Sequence, residues 1–288
     1  MIEYSDLKLS PCETFTGYEY GNETDVTQLG HKLTWYKHQN LSALLLREVD
    51  IPDEVDFTWH SQESQMRQGS CQGHSLTSCL EGCYWIDTAG KKPPALSRNF
   101  AYRASQMEDG ITGDNGSTLS AGVKTAYKGI CEEHWFPYTE TYSRHIPKKA
   151  FGHREEFRLR LAVPVDKEAP STQVVNWIGE GKGFCAIGMK WTSEMDSQQT
   201  IEKYRGTGKA GGHAVCFLGY SLPKKTITLQ NSWGYDWGTD GVKEVTFKAF
   251  DQIMRHGWNM GYIYSDLLDI EESREIPDFS IITDIIEP

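Results

Sequence analysis

Hydrophobic residues recur with a helical period in the first half of the chain. Within residues 75–85, apolar side chains fall every three or four positions and predict a helix. Residues 119–129 predict a second helix that ends at Gly129, because glycine is favoured just past a helix end. Residues 170–179 predict a third helix, capped near Ser171.

Short apolar segments dominate the second half and have the composition of β-strands. They are rich in β-branched or aromatic residues and are bounded by Gly, Pro or Asp. The segments are GFCAIGMKW at 183–191, HAVCFLGY at 213–220, TITLQNSW at 226–233 and GVKEVTF at 241–247. A polar loop at 192–212 separates the first two. Helices followed by strands predict an α+β chain with two lobes.

Both ends of the chain differ from this central region. Residues 1–50 are polar or Gly-rich around one apolar run at 41–46, and predict an extension that packs on the main body or serves as an arm for a partner. Residues 266–288 form an acidic tail in which acids alternate with Ile, Leu and Phe. This tail is predicted either to dock on its own domain or to bind a partner. The predicted folded domain is therefore 51–265.

Charge and composition exclude several functions. The 288 residues carry a formal net charge of −11, which argues against binding to nucleic acid or to an anionic membrane. The chain contains no apolar run of about 18 residues, so no membrane span is predicted. The first residues lack the features of a secretory signal, and the seven cysteines are odd in number. We therefore expect a cytoplasmic protein with reduced thiols.

Three polar segments in a fixed order point to one kind of chemistry. They are RQGSCQGHS at 67–75, GGHAVCFLGY at 211–220 and QNSWGYDWGTDG at 230–241. Together they resemble the active-site segments of the papain family of cysteine peptidases. Further segments that resemble family landmarks are IPDEVDF at 51–57, GDNGSTLSAG at 113–122 and FPY at 136–138. The resemblance implies a papain-like fold with a helical lobe at about 51–160 and an antiparallel, β-barrel-like lobe at about 161–265.

The resemblance assigns three polar residues to catalysis. Gln68 matches the glutamine whose side-chain N–H stabilises negative charge on a carbonyl oxygen. His213 matches the general base that forms an ion pair with a thiolate. Asn231 matches the residue whose side-chain carbonyl orients that imidazole.

The resemblance also implies residues for substrate binding. Gly116 matches a glycine whose backbone pairs with the substrate peptide, and Ser117 follows it in the same segment. Trp233 is expected to shield the bond between Asn231 and His213 from water.

The pattern departs from the family at the nucleophile. The position that should hold the reactive cysteine holds His74, at the family's spacing from Gln68, and Ser75 replaces the usual aromatic residue. Cys71 matches the family's structural cysteine, whose usual partner position holds Asp114. The chain therefore resembles a papain-like peptidase that lacks its sulfur nucleophile.

An imidazole at this position changes the chemistry. The positive end of a helix disfavours an imidazolium, and two facing cations repel, so at most one of His74 and His213 should be charged near pH 7. We expect a hydrogen bond between the two rings. Loss of the nucleophile costs on the order of 10⁶-fold in turnover in related triads, so peptide hydrolysis should be absent or vestigial.

Two functions from different classes remain open at this point. The first is an inactive homologue that binds a polypeptide or serves as a structural module in a larger assembly such as a virus particle. The second is an active hydrolase that uses a displaced nucleophile, Cys71, or a metal held by His74 and His213. Ser75 is a weaker candidate because a helix turns about 100° per residue and carries its hydroxyl elsewhere. Only two imidazoles are available as ligands, so we predict neither a resident metal nor another cofactor.

Overall fold

The structure is a computed structural model that describes residues 50–57 and 63–267. The predicted N-terminal extension, apart from residue 50, lies outside the described residues. The predicted acidic tail, apart from residues 266 and 267, lies outside them as well.

The longest α-helices of the described chain precede its main run of strands, and shorter helices follow among the strands. Their bounds are α1 Cys71–Asp87, α2 Arg98–Asp109, α3 Leu119–Lys128, α4 Lys148–Gly152, α5 Pro170–Gly179, α6 Ser193–Ser197 and α7 Phe247–Arg255. None of these helices combines the length and the apolar composition that a membrane crossing requires.

The three helices predicted from periodicity are confirmed as α1, α3 and α5. Helix α1 begins before the predicted start at residue 75. Helix α3 ends at Lys128, and Gly129, whose φ is 97°, is its C-cap as predicted. The predicted cap at Ser171 is wrong, because Pro170 takes the first helical position and Ala169 precedes it as the cap residue without a side-chain bond. Proline suits that position because its missing N–H would have had no helical partner.

Among residues 50–57 and 63–267, seven strands form one antiparallel sheet. Their bounds are β1 Glu54–Val55, β2 Leu159–Pro164, β3 Phe184–Thr192, β4 Ala210–Ser221, β5 Thr226–Gln230, β6 Val242–Thr246 and β7 Met260–Leu267. The order is β2-β7-β3-β4-β5-β6, with β1 paired to β4. The α+β class and the four strand segments predicted above are confirmed. The β-barrel-like lobe is realised as an open sheet, since β2 and β6 do not pair with each other within the described residues.

Helix α1 is the buried centre of the molecule and lies against the sheet. Its Leu76 and Leu80 are fully buried, and the Cys83 Sγ donates to the Tyr264 carbonyl of β7 at 3.2 Å. A Cβ on Gly82 would lie 2.3 Å from the Phe184 ring, so only glycine permits this approach to β3. The close contact fixes the position of α1, and therefore of its first turn, relative to the sheet.

Strands β4 and β5 bring the other half of the site to the start of α1. Within β4, His213 pairs with Met189 of β3, and Asn231 directly follows the last residue of β5. The Ala214 N–H donates to the Cys71 Sγ at 3.4 Å, which joins β4 to the first residue of α1. Residues from three distant parts of the sequence thus meet at one helix end.

Candidate functional site

The first turn of α1 carries His74 into the interior. The helix starts at Cys71, and the His74 N–H donates to the Ser70 carbonyl at 3.1 Å. The side chain of His74 is buried, with only 4% of the residue exposed. His74, which the resemblance assigns to the family's nucleophile position, is therefore at a helix N-terminus.

Local contacts decide which nitrogen of His74 carries the proton. Its Nδ1 lies 3.1 Å from the Ser70 carbonyl oxygen, which can only accept, so Nδ1 donates. The Tyr138 ring meets the imidazole edge-on, with 4.8 Å between the ring centroids. The buried Nε2 has no hydrogen-bond partner among the described residues. His74 thus presents an unprotonated Nε2 with a free lone pair.

Asn231 fixes the other imidazole in the same way. The Asn231 Oδ1 accepts from the Ser232 N–H at 2.8 Å, which identifies this atom as the amide oxygen. The His213 Nε2 lies 2.7 Å from that oxygen and therefore donates to it. The His213 Nδ1 is buried and has no partner within the described chain. Both imidazoles are thus acceptors at their second nitrogen.

Tryptophan rings enclose the His213 side chain. Trp233 stacks on the imidazole, with the centroids 4.5 Å apart and the planes 17° from parallel. Trp191 packs against the same ring edge-on at 5.3 Å. His213 is fully buried as a result. These rings separate the bond between Asn231 and His213 from solvent, which is the arrangement expected of Trp233.

Burial keeps both imidazoles neutral near pH 7. Burial, assisted by the charge of Arg98, lowers the pKa of His74 from 6.5 to about 3. Burial also lowers the pKa of His213 from 6.5 to about 4, although the hydrogen bond to Asn231 partly opposes the shift. The hydrogen bond predicted between the two rings is not present between these residues, because each one lacks a proton on its second nitrogen. The site therefore lacks the charged pair that activates a thiol.

Acid is expected to destabilise the fold through these two imidazoles. Their folded pKa values of about 3 and about 4 lie below the ordinary value of 6.5. The unfolded chain therefore binds more protons, and stability falls as the pH drops from about 6.5 toward 4, by up to about 1.4 kcal/mol per pH unit for each histidine. Urea unfolding between neutral pH and pH 5 measures this slope.

Two variants identify the source of that slope. His74→Gln should lower the slope by the contribution of one histidine, because a glutamine does not titrate. His145→Gln, at an exposed histidine, is the matched control for the substitution itself. A wild-type slope equal to that of His74→Gln would contradict the assignment.

Gln68 is buried beside the first turn of α1, and one of the two N–H donors of its amide is already engaged. The Gln68 Nε2 donates to the carbonyl oxygen of Thr139, and its Oε1 has no partner among the described residues. The neighbouring Tyr138 hydroxyl is 2.6 Å from the Ser70 Oγ and donates to the Gln65 carbonyl at 2.8 Å. The segment that contains Tyr138 and Thr139 thus covers the position where a substrate carbonyl would be held.

The predicted substrate segment makes its polar contacts within the protein. The Gly116 N–H donates to the Tyr102 hydroxyl at 3.1 Å, and its carbonyl accepts from the Gln106 Nε2 at 2.8 Å. The Ser117 hydroxyl is fully buried and donates to the Asp109 Oδ2 at 2.7 Å. A peptide could pair with this segment only after these bonds were broken.

Asp114 ties the predicted substrate segment to the turn before α1. Its Oδ1 accepts from the Gly69 N–H at 2.8 Å and from the Tyr102 hydroxyl at 2.9 Å. Asp114 occupies the position that the family resemblance gives to the disulfide partner of Cys71. A hydrogen bond from the Gly69 N–H to Asp114 therefore makes a connection in the same region.

A small cavity lies beside the histidine and asparagine side chains. It has a volume of about 10 Å³, close to the space that one water molecule needs. Its lining includes Glu63, His74, Ser75, Ser78, Asn231 and Ser232. Ser75 stands where the family carries an aromatic ring, and its hydroxyl donates to the Gln72 carbonyl at 3.0 Å. Ser75 is smaller than an aromatic residue and therefore leaves more of this cavity open.

Sequence reasoning missed a buried charge cluster near His74. Arg98 donates to both carboxylate oxygens of Glu81, at 2.7 and 3.0 Å, and its Nε lies 2.5 Å from the Glu63 Oε2. The Arg98 side chain is only 1% exposed. No motif marks these residues, which lie 17 or more positions apart, and a lone Arg or Glu usually indicates a surface position.

The structure disfavours both displaced nucleophiles. Cys71 is fully buried, and its Sγ accepts the Ala214 N–H, so the thiol faces β4. The Ser75 hydroxyl is bonded to its own helix. Within the described ranges, the structure has no group of three or more His, Cys, Asp and Glu side chains arranged to hold a metal ion.

Comparison with known proteins shows the family to which the chain belongs. Residues 48–253 match the profile of the papain family cysteine proteases. The chain is 25% identical over 205 residues to an uncharacterized peptidase C1-like protein of Acanthamoeba polyphaga mimivirus, a match that covers 66% of each protein. It is 24% identical over 208 residues to cysteine proteinase 2 of Leishmania pifanoi, covering 68% of this chain and 45% of that proteinase. The chain thus spans less than two thirds of these relatives' own length.

Solved structures show the same fold. Xylellain, a cysteine protease from Xylella fastidiosa, superposes with a TM-score of 0.65 at 18% identity, covering 78% of this chain and 89% of that one. Digestive procathepsin L 3 of Tenebrio molitor superposes with a TM-score of 0.62 at 17% identity, covering 75% of this chain and 71% of that one. The papain-like fold predicted from the sequence is confirmed.

Proposed function

Because this chain belongs to the papain family of cysteine proteases, we propose that it is an inactive member that acts as a peptide-binding or structural module. The observation that carries the proposal is the imidazole of His74 in the buried first turn of α1. A papain-type reaction needs a thiolate that an imidazolium stabilises. His74 supplies no sulfur, and neither His74 nor His213 is charged near pH 7.

His74 is also a poor substitute as a nucleophile. A group whose pKa is about 3 is a weak base. A weaker base is also a weaker nucleophile toward a carbonyl carbon. Its Nε2 is unprotonated, so His213 has no proton to remove from it. The bond from Gln68 to Thr139 further engages one of the two N–H donors that would stabilise a developing oxyanion.

A role in a larger assembly fits these contacts better than turnover of substrate. Internal hydrogen bonds hold Gly116 and Gln68, so a bound peptide has to compete with the protein's own groups. The similarity to a mimivirus protein favours a viral setting, and we include a virus particle among the assemblies in which the module acts. The expected partner is a polypeptide, bound in the old cleft or through surfaces outside it.

The alternative is an active hydrolase that uses Cys71. An epoxide probe that alkylates activated thiols of cysteine peptidases separates the two functions. We expect the wild-type protein to show no peptidase activity above background and no rapid labelling, because Cys71 is buried and its sulfur faces β4. The measurement combines a fluorogenic peptide assay with mass spectrometry of the probe-treated chain.

Cys71→Ser and His213→Ala serve as the comparison variants. Rapid labelling of the wild type that both variants abolish would overturn the proposal, since it would identify a thiol activated by the histidine. Peptidase activity that survives Cys71→Ser but is lost on treatment with a chelator would instead favour the metal-assisted alternative.

A further inference from the structure

The two histidines at the site are held in the way that metal-binding histidines are, with one ring nitrogen bonded to an oxygen and the other nitrogen bare. In each ring one nitrogen donates to a fixed oxygen, Ser70 O for His74 and Asn231 Oδ1 for His213. Metal-binding histidines almost always donate their other N–H to such an oxygen, which fixes the tautomer and directs the lone pair. The remaining nitrogens, His74 Nε2 and His213 Nδ1, are buried and have no partner among the described residues.

The fold brings the two rings into the same buried region. The bond from Ala214 to Cys71 places the residue after His213 against the first turn of α1. The two rings are electrostatic neighbours, and His74 lines the same small cavity as Asn231. Since the two nitrogens of an imidazole lie on opposite sides of the ring, the bare nitrogen of His213 faces away from Asn231.

We propose that His74 Nε2 and His213 Nδ1 together bind one soft monovalent cation, with Cu(I) as the cation to test. The sequence predicted no metal here because two imidazoles are too few for zinc, which takes about four ligands. A closed-shell d¹⁰ monovalent ion forms linear complexes with two nitrogen donors, and imidazole is a good ligand for copper. Two buried neutral imidazoles are therefore a complete ligand set for Cu(I).

The surrounding charges are compatible with a single positive charge. Arg98 is the positively charged side chain that lowers the pKa of His74 most, but it is paired with Glu81 and Glu63. These three side chains together carry one net negative charge. The tryptophans around His213 exclude water and therefore oppose loss of the bound ion to solvent.

The experiment measures anaerobic Cu(I) binding by competition with a chromogenic Cu(I) chelator of known affinity. We expect the wild-type protein to bind one equivalent of Cu(I) per chain. In His74→Gln and in His213→Gln, the affinity for that equivalent should fall by at least about 10²-fold. Asn231→Ala should weaken that equivalent by about 10- to 100-fold, since it removes only the bond that orients a ligand. His145→Gln, at an exposed histidine, is the matched control and should bind as the wild type does.

X-ray absorption separates this site from the buried thiols, which also bind Cu(I). A linear centre with two nitrogen neighbours in the wild type supports the proposal, and a centre with sulfur neighbours only overturns it. Copper binding that is equal in the wild type and in both His→Gln variants also overturns it. Near-ultraviolet circular dichroism confirms that each variant is folded. None of these results depends on peptidase activity, so the proposed function can fail or hold independently.

Discussion

Replacement of His74 by cysteine is expected to raise peptidase activity by about 10³-fold over the wild type. The new thiol would stand in the first turn of α1, where the helix dipole favours a thiolate. It would face His213, whose Nδ1 has no partner among the described residues and whose Nε2 is held by Asn231. Loss of the nucleophile alone lowers turnover by about 10⁶-fold in comparable catalytic triads.

Full recovery is not expected, because one of the two N–H donors of the Gln68 amide is engaged. It donates to Thr139, and loss of one oxyanion donor costs about 10²–10³-fold. Dividing the factor for the nucleophile by this factor leaves roughly 10³- to 10⁴-fold, and the lower value is the expected gain. A fluorogenic peptide assay at pH 7 measures the gain.

Two controls test the origin of the gain. His74→Ala removes the imidazole without adding sulfur and should show no activity. The double variant His74→Cys, His213→Ala should lose the gain because no base remains. Equal activity in the wild type and in His74→Cys would contradict the assignment of His74 to the nucleophile position, and so would a gain in His74→Ala.

Arg98→Met is expected to lower the free energy of unfolding by about 3–5 kcal/mol, since breaking a buried ion pair from one side leaves an uncompensated charge. The Arg98 side chain is 1% exposed and makes two hydrogen bonds to Glu81, at 2.7 and 3.0 Å. Methionine fills much of the same volume but leaves the Glu81 carboxylate, which is 4% exposed, without its cation. Urea unfolding at neutral pH, monitored by tryptophan fluorescence, measures the change.

Arg67→Met is the matched control for the loss of an arginine. Arg67 and its partner Glu140 are 57% and 58% exposed, so this variant should change stability by no more than about 1 kcal/mol. A second variant, Arg98→Met with Glu81→Gln, should recover part of the loss because it removes the unpaired charge. A loss below about 1 kcal/mol in Arg98→Met would show that the cluster does not stabilise the fold.

The sequence by itself determined the family, three helices and four strands, and the family resemblance assigned His74 to the nucleophile position. Apolar spacing and end signals located α1, α3 and α5, and residue composition located the four strands. Motif spacing singled out His74, His213 and Asn231, because the resemblance places the site residues at set intervals. Helix α2 was missed, since its buried face includes Arg98 and Asn99, and these polar residues interrupt the apolar pattern.

Only the tertiary structure decided what those residues can do. The proton positions on His74 and His213 depend on which oxygen each ring meets, and the oxygen of Asn231 is 18 positions from His213 in the chain. The engagement of Gln68 depends on Thr139, 71 positions away. Burial lowers the pKa of both rings. Trp191 and Trp233 cover His213, Tyr138 packs on His74, and none of these contacts is specified by a local segment. Hydrogen-bond partners and desolvation are properties of packed neighbours, and a linear sequence does not state which neighbours pack.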